Sequence, residues 1–374
     1  MAKGKGKSTR RMKGFGGRLA SGEDLDALAR HQKVIPPAVK LPPWRAAAPQ
    51  DNLDALPKLE GLVVGLFPGG VIVRHAGDEL LCGVAGTFRA PEGSSALAVG
   101  DVVTVAIIHD RHSDGNIGGD KDRADGMILS RQPRRSALSR PMPRSGKRRD
   151  DYEDDAFEKV IAANMDALLI VVSTAQPRPR RGLIDRFLII AERGELTPIV
   201  VFNKIDLAEA DPALLADLTD RKITLLACSA ETGAGLDALR DLLGHKHSVL
   251  AGASGVGKST LVNAIVPGAQ AATRPIRLRD ERGRHTTAAA TVYDLAGGGV
   301  LVDTPGVREL GLRMQAAELP WYFPEFDAFA PACRFKDCSH THEPLCAVQA
   351  AVEDGRIQPQ RYESYLRLLE TLEE

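Results

Sequence analysis

The chain has 374 residues, with 49 basic and 49 acidic side chains and 43% hydrophobic residues. This length exceeds what one compact core usually holds, so two or three domains are expected. No stretch approaches the roughly 20 apolar residues that a membrane-spanning helix needs, and no apolar run follows the basic N-terminus, as a signal peptide requires. These features argue against a membrane or secreted protein, and we expect a cytoplasmic one.

The balanced charge hides two basic blocks. Residues 1–20 contain seven Lys or Arg and residues 131–149 contain eight, and neither block contains an acid. Such blocks are usually solvated or disordered, and some bind the phosphates of nucleic acids. Because residues 1–57 are also rich in Gly, Pro and Ala, we predict a basic, flexible arm with a short helix near residues 23–31.

Residues 58–131 consist of short β-rich pieces separated by Gly, Pro and Asp turns. The predicted strands are Leu62–Phe67, Val71–His75, Glu79–Val84, Asp101–Ile108 and Gly126–Ser130. Five short strands with few helical segments predict a small β-barrel, and an RNA-binding OB-fold fits best. Propensity alone does not separate an OB-fold from an SH3-like barrel.

Residues 132–160 form a charged segment, which we interpret as a linker, and residues 161–315 alternate between strand and helix patterns. The predicted elements are the strands Asp166–Ser173, Pro198–Phe202, Ile223–Cys228 and Ser248–Ala251, the helices Ile184–Arg193 and Leu236–Leu243, and the hairpin strands Ala288–Leu295 and Val300–Asp303. This alternation predicts an α/β domain with a parallel sheet covered by helices on both faces.

A phosphate-binding loop lies in this α/β region. The segment Gly252–Ser259 matches G-x-x-x-x-G-K-S between an apolar strand and a helical segment, which is the context the motif requires. Lys258 would bridge the β- and γ-phosphates, and the Ser259 hydroxyl would ligate Mg²⁺. The backbone N–H groups of the loop would point at the phosphates. The predicted contact residues are Gly252, Ala253, Ser254, Gly255, Val256, Gly257, Lys258, Ser259 and Thr260.

Two further motifs would read a guanine base. In N-K-I-D, the Asp206 carboxylate can accept hydrogen bonds from guanine N1–H and N2–H₂, while Asn203 supports the loop and the Lys204 stem lies over the ring. At another strand end, backbone groups of a Ser-Ala pair can contact guanine O6. The predicted base-binding residues are Asn203, Lys204, Ile205, Asp206, Ser229 and Ala230.

The D-T-P-G segment follows a hairpin. Asp303 would hold Mg²⁺ through a water, and the Gly306 amide would meet the γ-phosphate. The segment R-G-R-H-T-T lies upstream, and one of its threonines would ligate Mg²⁺ and release it on hydrolysis. We favour Thr287 over Thr286 for this contact. Residue 307 is apolar and cannot polarise water, so His285 is the candidate catalytic group.

The order of these motifs is unusual. GTP-binding proteins normally present the phosphate loop first and the guanine-reading motif last. Here N-K-I-D precedes the phosphate loop, and D-T-P-G comes last. The order predicts a circularly permuted P-loop GTPase domain that binds GTP or GDP with Mg²⁺. The permutation also tethers the next domain directly to the γ-phosphate-sensing segment.

Residues 316–374 contain a compact group of possible metal ligands and end in a helical pattern, Pro359–Leu372. The ligands follow the spacing Cys333-x4-Cys338-x-His340-x5-Cys346, and His342 is an alternative to His340. Three thiolates and one imidazole suit tetrahedral Zn²⁺. Because no coordination position would stay open, we predict one structural zinc in a small helical zinc-binding domain.

Together these residues resemble the ribosome small-subunit-dependent GTPase A family, RsgA. The resemblance covers about residues 59–350 and rests on the permuted order, R-G-R-H-T-T, D-T-P-G-V-R-E-L and C-R-F-K-D-C-S-H-T-H-E-P-L-C. It implies an N-terminal OB domain, a central permuted GTPase domain and a C-terminal zinc domain. It also implies that His285 is catalytic and that Cys333, Cys338, His340 and Cys346 ligate zinc.

The resemblance further implies a late role in maturation of the small ribosomal subunit, with hydrolysis of GTP to GDP and phosphate stimulated by that subunit. Our own hypothesis adds that the barrel and the zinc domain contact rRNA and that hydrolysis drives release, and we expect a monomer. Two other classes stay open: a GTPase of large-subunit assembly, and an RNA-binding adaptor that holds GTP without hydrolysing it.

Overall fold

The computed structural model describes residues 53, 55–67, 70–86, 88, 97–108, 124–141, 158–266, 290–304, 310–312 and 314–373. Four residues predicted to act at the nucleotide, His285, Thr286, Thr287 and Gly306, lie outside these ranges, as does the helix predicted near residues 23–31. Within the described part of the chain, no helix is long and apolar enough to cross a membrane.

The N-terminal strands form a closed barrel. They are β1 Lys58–Phe67, β2 Gly70–His75, β3 Asp78–Val84, β4 Val102–Ile107 and β5 Gly126–Arg131, joined in the order β1-β2-β3-β5-β4. Val63, Val73 and Val105 are among the fully buried residues of its interior. β1 closes against β4, and β3 pairs in parallel with β5. This Greek-key order is that of the OB-fold, which confirms the prediction and resolves the choice left open by propensity.

One strand lies inside the segment 132–160, interpreted as a linker, and a second begins at the end of that segment. β6 Ala137–Pro141 and β7 Glu158–Ala163 form an antiparallel pair with a register shift. Leu138 is fully buried in the core beneath the α/β sheet. The strands are short and one carries an arginine, so their sequence lacks the apolar alternation that reveals longer strands.

The central sheet has six strands in the order β10-β9-β8-β11-β13-β12. Its strands are β8 Ala167–Ser173, β9 Thr197–Asn203, β10 Thr224–Ala227, β11 His247–Ala251, β12 Thr291–Asp294 and β13 Val300–Asp303. β12 is antiparallel to β13, while the other pairs in this sheet are parallel. Every residue of β8 is buried, as expected of a strand covered on both faces.

Helices cover the two faces of the sheet. They are α1 Arg181–Arg193, α2 Pro212–Asp220, α3 Leu236–Leu243 and α4 Lys258–Ile265. One apolar cluster includes residues of α1 and α2, and a second includes residues of α3 and α4. The structure therefore confirms the predicted α/β layers, with α1 starting three residues before the predicted helix.

The C-terminal region combines short 3-10 turns with two helices. The turns are Ala316–Tyr322, Pro324–Phe326 and Ala330–Ala332, and the helices are α5 Ala347–Glu353 and α6 Pro359–Glu373. Phe323, Phe326 and Tyr365 form an aromatic core in which each ring lies within 5.5 Å of the next. α6 packs along α1 of the central domain, so the C-terminal region packs directly against the α/β layers.

Candidate nucleotide site and metal centre

The phosphate-binding loop lies between β11 and α4, at the carboxyl edge of the sheet. Gly252 has φ +142°, and a Cβ there would lie 2.3 Å from the Val171 carbonyl oxygen. Only glycine allows this approach between the loop and β8. The Lys258 ammonium donates to the carbonyls of Gly252 and Ala253 at 2.7 and 2.6 Å. Ser259 and Thr260 are exposed at the start of α4, where backbone N–H groups favour anions.

Asn203 joins the motifs that lie far apart in sequence. Its side chain is 1% exposed, and its Nδ2 donates to the Val256 carbonyl at 3.0 Å. Its Oδ1 accepts from the Ala230 N–H at 3.1 Å. One amide side chain therefore fixes the phosphate-binding loop and the Ser-Ala loop relative to N-K-I-D. Gly257 leaves room for it, because a Cβ on Gly257 would lie 2.4 Å from Asn203 Nδ2.

Lys204 ties a further loop to the site, one that sequence reasoning missed. Its ammonium donates to the carbonyls of Gln176 and Gly255 at 2.6 and 2.8 Å. Thr174 Oγ1 donates to the Lys204 carbonyl at 2.7 Å, and Pro177 Cδ would lie 3.5 Å from a Cβ on Gly255. Residues 174–180 follow β8 at the carboxyl edge of the sheet, where such folds place ligand-binding loops. The position of the 174–180 loop directly after a buried strand was the sequence signal that could have identified it as part of the site.

The 174–180 loop adds positive charge beside the phosphate-binding loop. Arg178 and Arg180 line a cavity of about 260 Å³ together with Gly252, Ala253 and Ser254. Both arginines are exposed, whereas the neighbouring Arg181 lies 3.6 and 3.7 Å from acidic side chains of α2 and its N-cap. The cavity therefore lies between the phosphate-binding loop and the 174–180 loop, and apolar residues of β8 and α1 line much of the rest of it.

The predicted guanine-reading residues lie together at the ends of β9 and β10. Asp206 is exposed, and the Ile205 N–H donates to the Cys228 carbonyl at 3.3 Å. Ser229 is fully buried, and its backbone N–H donates to the Ala234 carbonyl at 2.9 Å. These contacts hold the two base-reading segments side by side, with the Asp206 carboxylate facing outward.

Asp303 ends β13, directly beside the strand that leads into the phosphate-binding loop. It pairs in register with Leu250 of β11 and is partly buried. Thr304 follows it and is 5% exposed. Among the residues that the structure describes, Asp303 is therefore the predicted nucleotide contact that comes from the D-T-P-G segment.

The C-terminal region brings together the predicted metal ligands. The donor atoms of Cys333, Cys338, His340 and Cys346 all lie within 4.8 Å of one another. The His340 Nδ1 lies 3.6 and 3.5 Å from two of the sulfurs, which are 3.9 Å apart. Tetrahedral zinc with bonds of about 2.3 Å to sulfur and 2.0 Å to nitrogen requires separations of about 3.5–3.8 Å. The donor set therefore fits zinc in its chemistry, and the three separations among Cys333, His340 and Cys346 are close to those of a tetrahedral site.

Protonation of these groups is coupled to metal binding. Burial and the neighbouring thiols raise the pKa of Cys338 to about 12, so a divalent cation is needed to favour the thiolate ligand. Burial lowers the pKa of His340, which favours the neutral imidazole that ligates metals. The alternative His342 is exposed, and its Nδ1 lies 2.8 Å from the Thr341 hydroxyl. The geometry therefore favours His340.

Neighbouring side chains hold the ligand loop in place. Tyr362 donates to the His340 carbonyl at 2.6 Å, and Tyr365 donates to the Ser339 carbonyl at 2.7 Å. Glu343 accepts from the Ser339 N–H and hydroxyl at 2.7 and 2.6 Å. Burial alone would raise the pKa of Glu343, but these hydrogen bonds and others from the backbone hold it well below the usual range.

A buried ionic hub fastens α6 to α1. Asp185 of α1 accepts from Arg361 at 2.5 Å, from Arg221 at 2.7 Å and from the Ser364 hydroxyl at 2.5 Å. Arg361 also donates to Glu325 at 2.6 Å, and both Asp185 and Arg361 are 4% exposed. The metal-binding region is thus joined by charge to the helix that follows the 174–180 loop.

The strand order and the joined motifs define a circularly permuted GTP-binding protein. Residues 131–313 match the family described as RsgA GTPase. A small ribosomal subunit biogenesis GTPase RsgA of Gemmatimonas aurantiaca is 40% identical over 311 residues, covering 81% of this chain and 94% of the relative. The protein of the same name from Chlorobaculum tepidum is 41% identical over 322 residues, covering 84% of this chain and 99% of the relative.

Solved structures agree with these sequence matches. YjeQ from Thermotoga maritima superposes with a TM-score of 0.59 at 31% identity, covering 84% of this chain and 99% of that one. YloQ, described as a circularly permuted GTPase, gives 0.56 at 27% identity, covering 85% and 96%. The chain belongs to the RsgA GTPase family, and it is a GTPase.

Proposed function

We propose that this chain binds the small ribosomal subunit, assists its late maturation, and leaves when GTP is hydrolysed. The single observation that carries the GTP dependence of the proposal is Asn203, which joins the guanine-reading and phosphate-binding loops in one site. The name that the relatives share supplies the proposed partner. Subunit stimulation of hydrolysis, and rRNA as the contacted surface, are parts of the same proposal.

We infer roles for the individual site residues from the geometry. Asp206 reads guanine, Lys258 and the backbone of residues 252–260 hold the phosphates, and Ser259 ligates Mg²⁺. Asp303 approaches the same ion through a water, because it ends the neighbouring strand. His285 as the catalytic group, Thr287 as a Mg²⁺ ligand and Gly306 at the γ-phosphate remain proposals from the sequence.

The domain roles follow the predicted boundaries: an arm at 1–57, an OB domain at 58–131, a GTPase domain at 161–315 and a zinc domain at 316–374, while residues 132–160, interpreted as a linker, include β6 and the start of β7. Zinc would be structural, since the four ligands leave no position for a substrate. Bound zinc would fix a module whose aromatic core is small. The barrel and the zinc domain would contact rRNA on either side of the GTPase domain, and the protein would act as a monomer.

Phosphate release from GTP tests the proposal directly. The protein is assayed alone, with small ribosomal subunits and with large subunits. Stimulation by small subunits alone supports the proposal. A response to large subunits alone would identify a different assembly GTPase, and bound but unhydrolysed GTP with either subunit would identify an adaptor. A His285→Ala variant with unchanged stimulated turnover would remove the catalytic assignment while leaving the partner intact.

A further inference from the structure

One face of the zinc-binding region presents apolar side chains to solvent. Leu345 immediately precedes the ligand Cys346 and is 73% exposed, and Phe335, two residues after Cys333, is 41% exposed. The Arg334 N–H donates to the Leu345 carbonyl at 3.4 Å, so the two ligand loops lie side by side. We call the surface formed by Arg334, Phe335, Lys336 and Leu345 the knuckle face.

The backbone of Leu345 is unusual for its residue type. Its φ is +62°, in the left-handed region that Cβ makes unfavourable for residues other than glycine. Its exposure means that burial of the side chain does not offset this cost. Leu345 therefore stabilises the isolated fold neither through its backbone conformation nor through burial of its side chain. An observed backbone outlier of this kind points to a function other than folding stability.

Comparison with the other left-handed residues strengthens this reading. Leu345 is the only one of them, in the described ranges, with a branched apolar side chain. The others are Ala76, Asn164, Glu195, Lys204, Lys222 and His340. Several of these are polar residues that tolerate the conformation, or residues that the site uses. Leu345 has neither explanation within this chain.

The charge around the knuckle face suits a nucleic-acid strand. Arg334 and Lys336 are exposed on either side of Phe335 in sequence, and the Arg334 guanidinium lies 5.6 Å from the Phe335 ring centroid. Asp337 is the exposed acid of this stretch. Cations beside an exposed ring are the combination with which proteins bind single strands, because bases stack on the ring and phosphates meet the cations.

We propose that the knuckle face binds an unpaired RNA segment, with a base stacked on Phe335 and packed against Leu345. Arg334 and Lys336 meet the flanking phosphates. The inference rests on the proposed function, which makes rRNA the ligand in the cell. The surface itself would bind any accessible single strand. A duplex hides the faces of its bases within the stack, so it is not a ligand for this surface.

Binding of two labelled RNAs to the full chain tests the proposal. Fluorescence anisotropy compares a 12-nucleotide A-rich single strand with a 12-base-pair blunt duplex for wild type, Leu345→Gly and Phe335→Leu. Arg367→Ala is the control, since Arg367 is exposed on α6 and pairs with Glu363. Zinc content and thermal midpoint are measured on every variant. Loss of a stacked base weakens binding by about 5- to 100-fold.

We expect Phe335→Leu to weaken single-strand binding by that factor and Leu345→Gly by about 3- to 10-fold, with duplex binding unchanged in both. Leu345→Gly keeps its zinc and does not lower the thermal midpoint, because glycine relieves the backbone. This combination separates contact from structure, since a purely structural Leu345 would change stability and leave RNA binding alone. Arg367→Ala behaves as wild type.

Two results would overturn the inference: both variants could bind the single strand as wild type does, or Leu345→Gly could lose zinc. If variants that bind RNA as wild type does also sediment less with small ribosomal subunits, the surface contacts a protein instead. Failure of the proposed function looks different, because wild type would then bind RNA through this face yet show no stimulation by small subunits.

Discussion

The ionic hub between α1 and α6 predicts an unequal response to removal of its two central charges. Asp185 accepts from three side chains, so Asp185→Leu removes every one of these bonds. The buried Arg361 guanidinium then keeps Glu325 as its hydrogen-bonded carboxylate, with Asp217 as a further acidic neighbour. Removal of one partner from a buried pair costs about 3–5 kcal/mol. Arg361→Met costs less, about 2–3 kcal/mol, because Asp185 keeps Arg221 and Ser364.

The double variant tests the cause of these costs. Asp185→Leu with Arg361→Met leaves neither central charge unpaired, while Arg221 and Glu325 are 20% and 25% exposed and can be hydrated. We therefore expect the double variant to cost less than the sum of the two single changes. Arg361 also lies 4.5 Å from the Phe323 ring centroid, so methionine retains part of that packing.

Hydrogen exchange of the α6 amides is the appropriate assay, because a multidomain chain need not unfold in one step. A cost of about 3–5 kcal/mol speeds exchange through opening by roughly 150- to 5,000-fold. The control Arg367→Ala removes an exposed pair and should change it by less than about fivefold. If Asp185→Leu accelerated exchange by less than tenfold, or if the two single costs simply added, the hub would not fasten α6 as described.

Three further predictions concern the nucleotide and metal sites. Gly257→Ala should abolish binding of a fluorescent GDP analogue, because the added Cβ would displace Asn203. The control Gly233→Ala should retain binding, because Gly233 also has a positive φ, of +85°, but has open space around it. Equal loss of binding in both variants would exclude the Asn203 contact as the cause. Cys346→Ser should keep the helix cap but lose zinc, measured by metal analysis, and loosen α6; retained stoichiometric zinc would contradict the ligand assignment. Glu343→Gln should lower the thermal midpoint relative to wild type by a constant amount from pH 8 to about pH 5. The reason is that a carboxylate whose pKa is depressed in the folded state stabilises that state above its unfolded pKa of about 4.3, and this stabilisation is lost only as the pH falls below that value. A difference between the two midpoints that changes near pH 6–7 would implicate another group.

The repeating patterns made most of the fold predictable. β8 is apolar throughout, as a strand covered on both faces must be, and the predicted bounds of the helix Leu236–Leu243 are those observed. The pair β6 and β7 was missed because short strands with an irregular register lack a readable period. Strand propensities also could not predict the topology of the barrel, because the parallel β3–β5 pairing depends on contacts between residues distant in sequence.

The candidate site shows the same division. The motifs identify Lys258, Asn203 and Asp206 because phosphate and guanine recognition need those side chains at set spacings. The 174–180 loop carries no such motif, and its role emerges only when the fold places Gln176 beside Lys204. The bonds of Asp185 to α6 were equally hidden, because their partners lie 176 and 179 residues away.

The edge of the central sheet has a consequence for solubility. β12 lies at one end of the strand order, and an exposed edge strand can pair with another chain and start aggregation. Here β1 of the barrel contacts β12, and Arg74 of β2 lies 2.5 Å from Asp294 at the end of β12. The barrel thus shields this edge and places a charge pair on it. A fragment without the barrel would leave this edge uncovered and is expected to self-associate.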